Sequence, residues 1–122
     1  LNSNSYQTLK MLGDALTKFE FYPEKKLSYY YLDQTTMQKY GAKKEDTEGA
    51  VEKILSYYEA SVSLFLREEA DGKIKGSMRS KYETNVNKIA ALFGGGGHYK
   101  AAGFSSDLSP KEILDIVLKN LD

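Results

Sequence analysis

The 122-residue chain has no cysteine, one histidine (His98), two prolines and no excess of either charge. Each shortage excludes something. Without cysteine there is no disulfide, no thiolate nucleophile and no zinc ribbon, and the composition fits a reducing compartment; the cytoplasm is the expected location. One histidine cannot build a histidine-rich metal site. Lys plus Arg and Asp plus Glu number 17 each, so no global field draws the chain to nucleic acid, and any such binding must be assembled locally. No apolar run approaches the roughly 20 residues that cross a bilayer, and no signal peptide is visible. The chain opens on Leu1 without a methionine, so it is expected to be part of something longer.

What remains is the composition of an ordinary globular domain. Hydrophobic residues are 41% of the total, and this length suits one domain that buries roughly two-thirds of its unfolded surface. Leu9, Leu12, Leu16 and Phe19 form an apolar stripe that predicts a helix over residues 5 to 20, stopped before Pro23. Residues 1 to 24 read as a linker helix and residues 25 to 122 as the domain proper. Tyrosine-rich residues 26 to 32 predict a strand. Asp33 can cap a short helix through Tyr40, with Gly41 as its terminator. A helix is expected from residue 47 to 55, turning Val51, Ile54 and Leu55 inward. Val62, Leu64 and Leu66 alternate with Ser63, Phe65 and Arg67, a strand pattern, and Asp71-Gly72 supplies a hairpin turn before a returning strand at 74 to 79. Ser109, Pro110 and Glu112 combine an N-cap, a first-turn proline and a capping box, and Ile113, Ile116, Val117 and Leu121 follow as the buried face of a last helix. This order predicts an α+β fold: a small mixed β-sheet with a central hairpin, covered by helices.

Residues 94 to 104 read Gly-Gly-Gly-Gly-His-Tyr-Lys-Ala-Ala-Gly-Phe. Four glycines leave backbone N–H groups bare for an anion, and His98 follows at once. Glycine runs are commonly linkers. Here Val86, Ile89, Ala90 and Phe93 lead into the run at helical spacing, and apolar sequence resumes at Ala101, so the loop is pinned at both ends. It is not a P-loop, which needs Lys and Ser or Thr after the last glycine, nor a dinucleotide fingerprint, which would need glycine where Tyr99 stands. His98 is a poor metal ligand without companions. It reads either as a loop-fixing residue or as a charge-assisted donor to phosphate. Arg79, near a strand end, reads either as a surface arginine paired with a carboxylate or as a planar fork for phosphate oxygens. The ten tyrosines favour packing over base stacking, although Tyr99 adjoins His98. The acidic cluster of Glu68, Glu69 and Asp71 sits at a hairpin tip, where solvated charge explains it better than catalysis.

Residues 95 to 103, with Gly-Gly-Gly-His, two further residues, then small residues and glycine, resemble the signature of the DHH-associated C-terminal domain of DHH-family phosphoesterases. Residues 73 to 81, Lys-Ile-Lys-Gly-Ser-Met-Arg-Ser-Lys, resemble that family's strand ending in Arg-Ser-Lys. The resemblance implies that Arg79, Gly95, Gly96, Gly97 and His98 hold the substrate's phosphates, with Ser80, Lys81 and Tyr99 as secondary candidates. It also implies an N-terminal DHH domain, outside this sequence, whose Asp and His residues bind two metal ions, usually manganese. The expected ligands are nucleotide phosphates or short single-stranded RNA. The small members that degrade short RNA and dephosphorylate 3′-phosphoadenosine 5′-phosphate are the most similar subgroup. A cyclic-dinucleotide phosphodiesterase, a RecJ-like exonuclease and a free-standing nucleotide- or RNA-binding module stay open, as does a homodimer of the full-length protein. The domain appended to alanyl-tRNA synthetases is a more distant resemblance. Catalysis by this chain alone is not expected.

Overall fold

Alternation along the central strands divides their side chains between two faces, and both are buried. In the computed structural model, which describes residues 3 to 122, β3 (Val62–Glu68) turns Val62, Leu64 and Leu66 to one face and Phe65 to the other. Leu1 and Asn2, the first residues of the expected linker segment, lie outside the described residues. Six strands form one sheet in the order β1-β2-β3-β4-β6-β5. These are β1 (Glu20–Tyr22), β2 (Leu27–Leu32), β3, β4 (Ile74–Ser80), β5 (Gly96–Gly97) and β6 (Ala101–Ser106). All neighbours are antiparallel except β2 and β3, which run parallel. The β3–β4 hairpin stands at the middle, as expected, and the sheet is mixed.

On the first face, Leu27, Leu64, Leu66, Met78 and Phe104 pack under α4 (Val86–Ala91) and α5 (Pro110–Lys119), through Val86, Ile89, Ile113 and Val117. On the second, Tyr30, Leu32 and Phe65 meet Met11 and Ala15 of α1 (Tyr6–Lys18), Met37 of α2 (Gln34–Tyr40) and Val51 and Ile54 of α3 (Ala50–Leu55). The predicted caps are present. Asp33 accepts from the Thr36 N–H at 2.8 Å, a bond that lowers its pKa, and Ser109 and Glu112 close a capping box at the start of α5.

Two expectations need correction. The helix expected over 47 to 55 is split into a 3-10 turn (Lys44–Thr47) and α3. The break falls at Gly49, which takes a left-handed backbone (φ +88°) and leaves α3 without a side-chain N-cap. Residues 20 to 22, expected as the end of α1 and its connection to Pro23, instead pair with β2 as an edge strand.

Helix α1 is held to the sheet by a buried polar contact as well as by Met11 and Ala15. The Tyr30 hydroxyl donates to the Asp14 carboxylate, which also lies 3.1 Å from the Lys18 ammonium. Burial first, and the bond to Asp14 second, raise the Tyr30 pKa. Tyr30→Phe should remove a hydrogen bond from a carboxylate with 8% exposure and cost about 1–3 kcal/mol. Urea denaturation checks this, and a midpoint equal to wild type would show that Lys18 suffices.

Candidate functional site

The second face is only half covered. Helix α3 roofs β3, but Lys75, Ser77 and Arg79 on β4, and Ala101, Gly103 and Ser105 on β6, remain partly or fully exposed. A groove of about 560 Å³ runs between α3 and β4, lined by Lys44, Glu48, Glu52, Arg67, Lys75 and Arg79 among others.

Arg79 lies opposite Ala101 in the β4–β6 register. Ala101 in turn exchanges both backbone hydrogen bonds with His98: the His98 N–H donates to the Ala101 carbonyl at 2.7 Å, and the Ala101 N–H donates back at 3.3 Å. Residues opposed in this way in antiparallel strands project from the same face. Arg79, Ala101 and His98 therefore form one row across three strands. Their end members are about 10 Å apart at the backbone, two inter-strand spacings. A phosphate-sized anion lying over Ala101, which has only a methyl side chain, would have the Arg79 guanidinium on one side and the N–H of the His98 imidazole on the other. His98 is exposed. Arg79 donates from Nη1 to the Met78 carbonyl at 2.9 Å, and its Nε sits 3.3 Å from Glu52 Oε2. Both sequence readings of Arg79 thus meet in one place, since it has a carboxylate partner and still lines the open groove.

The glycine run acts differently from a cradle of bare N–H groups. Gly94 and Gly95 donate to the carbonyls of Ala91 and Ala90, each at 3.0 Å, and Gly97 donates to Asn87 Oδ1 at 2.9 Å. With the His98 N–H also engaged, most of the loop's donors are satisfied within the chain. What glycine supplies is close approach. A Cβ on Gly95 would stand 2.2 Å from the Gly103 carbonyl oxygen, and one on Gly97 would stand 2.6 Å from that of Ala101. Gly97 also has φ +155°, where an L side chain is strained. At Gly96 the nearest atom is Asn87 Oδ1, at 3.0 Å, a side-chain oxygen that need give only a few tenths of an ångström.

The secondary candidates scatter. Ser80 is buried on the face opposite Arg79, its hydroxyl without a hydrogen-bond partner. Lys81 donates to the Tyr57 carbonyl at 2.8 Å, at the end of the sheet. Tyr99 turns toward the start of α4, where its hydroxyl donates to the Glu83 carbonyl. The structure brings Arg79 and His98 together and separates Ser80 and Tyr99 from them. It adds Lys75, Arg67 and Lys44, which the sequence reading missed. The strand alternation that placed Arg79 also puts Lys75 on its side, and the Asp71-Gly72 turn sets Arg67 opposite Lys75. Lys44 lies in a 3-10 turn that no pattern marked.

The DHHA1 domain model matches residues 24–121. The chain belongs to the DHHA1 domain family. One solved structure similar to it is an exopolyphosphatase-related protein from Bacteroides fragilis, 30% identical with a TM-score of 0.89, over 97% of this chain and 35% of that one. This DHHA1 chain thus spans about a third of that relative. Two others share the fold at 14% identity. One is a pGpG-specific phosphodiesterase from Vibrio cholerae (TM-score 0.63, 92% of this chain and 37% of that one). The other is the C-Ala domain of Aquifex aeolicus alanyl-tRNA synthetase (TM-score 0.60, 78% and 89%). No curated protein matches the chain. Among the described residues no helix is long and apolar enough to cross a membrane.

The steric reading orders the glycines. Gly95→Ala and Gly97→Ala should each lower stability by about 1–3 kcal/mol, the cost of forcing atoms into a packed contact, while Gly96→Ala should fall below that range. Chemical denaturation of the three variants measures the order, and a Gly95→Ala protein as stable as wild type would refute the close-approach argument.

Proposed function

We propose that this chain is the substrate-binding domain of a DHH-family phosphoesterase, holding nucleotide or oligonucleotide phosphate between Arg79 and His98. The observation that carries this reading is the Arg79–Ala101–His98 row on the uncovered sheet face. Guanidinium offers paired donors to two phosphate oxygens, and the His98 imidazole offers an N–H donor from the opposite side. Gly95, Gly96 and Gly97 contribute by shape: they let β5 lie against β6 and so fix where His98 stands. Glu52 occupies Arg79 until an anion displaces it. The supporting comparisons are the family match and the relatives named as an exopolyphosphatase-related protein and a phosphodiesterase.

The chemistry belongs to a part of the protein outside this sequence. Among the described residues no group of three His, Asp or Glu side chains is gathered that could hold a metal ion, so these residues do not fit the manganese pair that the family implies. In this proposal an N-terminal DHH domain carries that pair, and hydrolysis of short RNA oligomers, with 3′-phosphoadenosine 5′-phosphate as a further substrate, proceeds there while this domain orients the ester. The proposed setting is cytoplasmic. A second reading, a nucleic-acid-binding module that works without a catalytic domain, draws on the C-Ala likeness, which takes in most of that separate domain.

In the full-length enzyme, Arg79→Ala should raise KM for a dinucleotide at least about tenfold, the loss of one charge-assisted contact, with little change in melting temperature because the side chain lies at the surface. Glu52→Gln should lower KM by freeing the guanidinium. Steady-state kinetics on both variants test the pair, and an Arg79→Ala enzyme with unchanged KM would remove Arg79 from the site.

The isolated chain should show no manganese-dependent hydrolysis of phosphodiesters or phosphomonoesters. Turnover that follows the purified domain through successive columns would contradict the division of labour.

A further inference from the structure

Beyond Arg79 the groove continues along β4, and its far end holds an arrangement that costs the fold stability. Arg67 and Lys75 are direct register partners on β3 and β4, and like charges set opposite each other in a sheet repel. Both side chains line the groove. Arg67 is only 12% exposed, and its one ion-pair partner among the described residues is Glu69, 3.6 Å away on the hairpin side. Lys75 is exposed and has no ion-pair partner among the described residues. Lys44, at the start of the 3-10 turn, lines the same groove. A bound anion would turn the repulsion between Arg67 and Lys75 into a two-sided attraction.

We infer that Arg67, Lys75 and Lys44 form a second phosphate subsite, about 13 Å along β4 from Arg79 at four strand residues of rise, which holds a further phosphate of a phosphodiester strand. This inference rests on the Arg79–His98 reading, because Arg79 lines the near end of the same groove and holds the strand's first phosphate there. The lining between the ends decides the ligand class. Glu48 and Glu52 stand among the cations, and Ser77, Val51 and Phe65 form uncharged stretches. An unbroken polyphosphate would press its charges against those carboxylates. A strand whose phosphates are separated by sugars places neutral groups there. The subsite therefore ranks ligands by length, favouring two or three nucleotides over one.

Full-length protein, with metal chelated to prevent turnover, is titrated with AMP, pApA, pApApA and inorganic tripolyphosphate. Wild type should bind pApApA at least about tenfold more tightly than AMP, the gain from one further phosphate held by cations, and should bind tripolyphosphate more weakly than pApApA. An Arg67→Gln/Lys75→Gln double variant should lose that gain and keep AMP affinity. Its melting temperature should not fall, since it relieves the repelling pair, and pApApA should stabilise it no more than AMP does. No length dependence in wild type, a gain retained in the double variant, or tripolyphosphate matching pApApA would overturn the subsite. Arg79→Ala separates the two claims: unchanged AMP binding overturns the Arg79–His98 reading, while the double variant still decides the groove.

Discussion

The backbone of β5 lies against the backbone of β6 with no room for a side chain between them at Gly95 or Gly97. Three consequences hang on that contact. It closes the hairpin that carries His98, it sets the register that lines His98 up with Ala101 and Arg79, and it brings the end of α4 onto the edge of the sheet, where Phe93 stacks on Phe104. Asn87 supports the arrangement from α4 by accepting the Gly97 N–H. The positions that look most like an exposed ligand loop are thus structural in the strict sense, and in the proposed site it is the histidine they position that faces the ligand.

The two faces of the sheet have different tasks. Under α4 and α5 the apolar face runs unbroken from β2 to β6 and supplies most of the core. On the opposite face the helices stop at α3, and the strand residues beyond it change from Tyr30, Leu32 and Phe65 to Lys75, Ser77 and Arg79. Polarity switches where the covering layer ends. Burial and the proposed recognition therefore share one sheet without competing, because strand alternation lets β4 present Met78 to the core and Arg79 to solvent.

Much of this was legible in the residues. The central hairpin followed from alternation and Asp71-Gly72, and the caps at Asp33 and Ser109 from side-chain chemistry; Arg79 and His98 were singled out only through the resemblance of two short motifs to a known signature, and the fold sets them in one row. What was not legible has physical causes. Glu20, Phe21 and Tyr22 carry no strand pattern of their own and become a strand only because β2 offers them an edge. Gly49 reads as one more tolerated glycine until its left-handed backbone divides the segment before α3. The role of Gly95 and Gly97 depends on where Gly103 and Ala101 sit, a contact between segments. The charge pairing of Arg67 with Lys75 needed only the hairpin register, and could have been drawn from it.

Both outer strands are the shortest in the sheet: β1 has three residues and β5 has two. Long, flat outer strands leave rows of unpaired amides that recruit strands from other molecules. Here one border is a brief segment next to Pro23, and the other is two glycines, one with a backbone no ordinary strand adopts. The domain can hold half a sheet face bare in a crowded solution without offering its borders for intermolecular strand addition. Whatever docks must come down onto that face, side chain first, and the backbone borders take no part in choosing it.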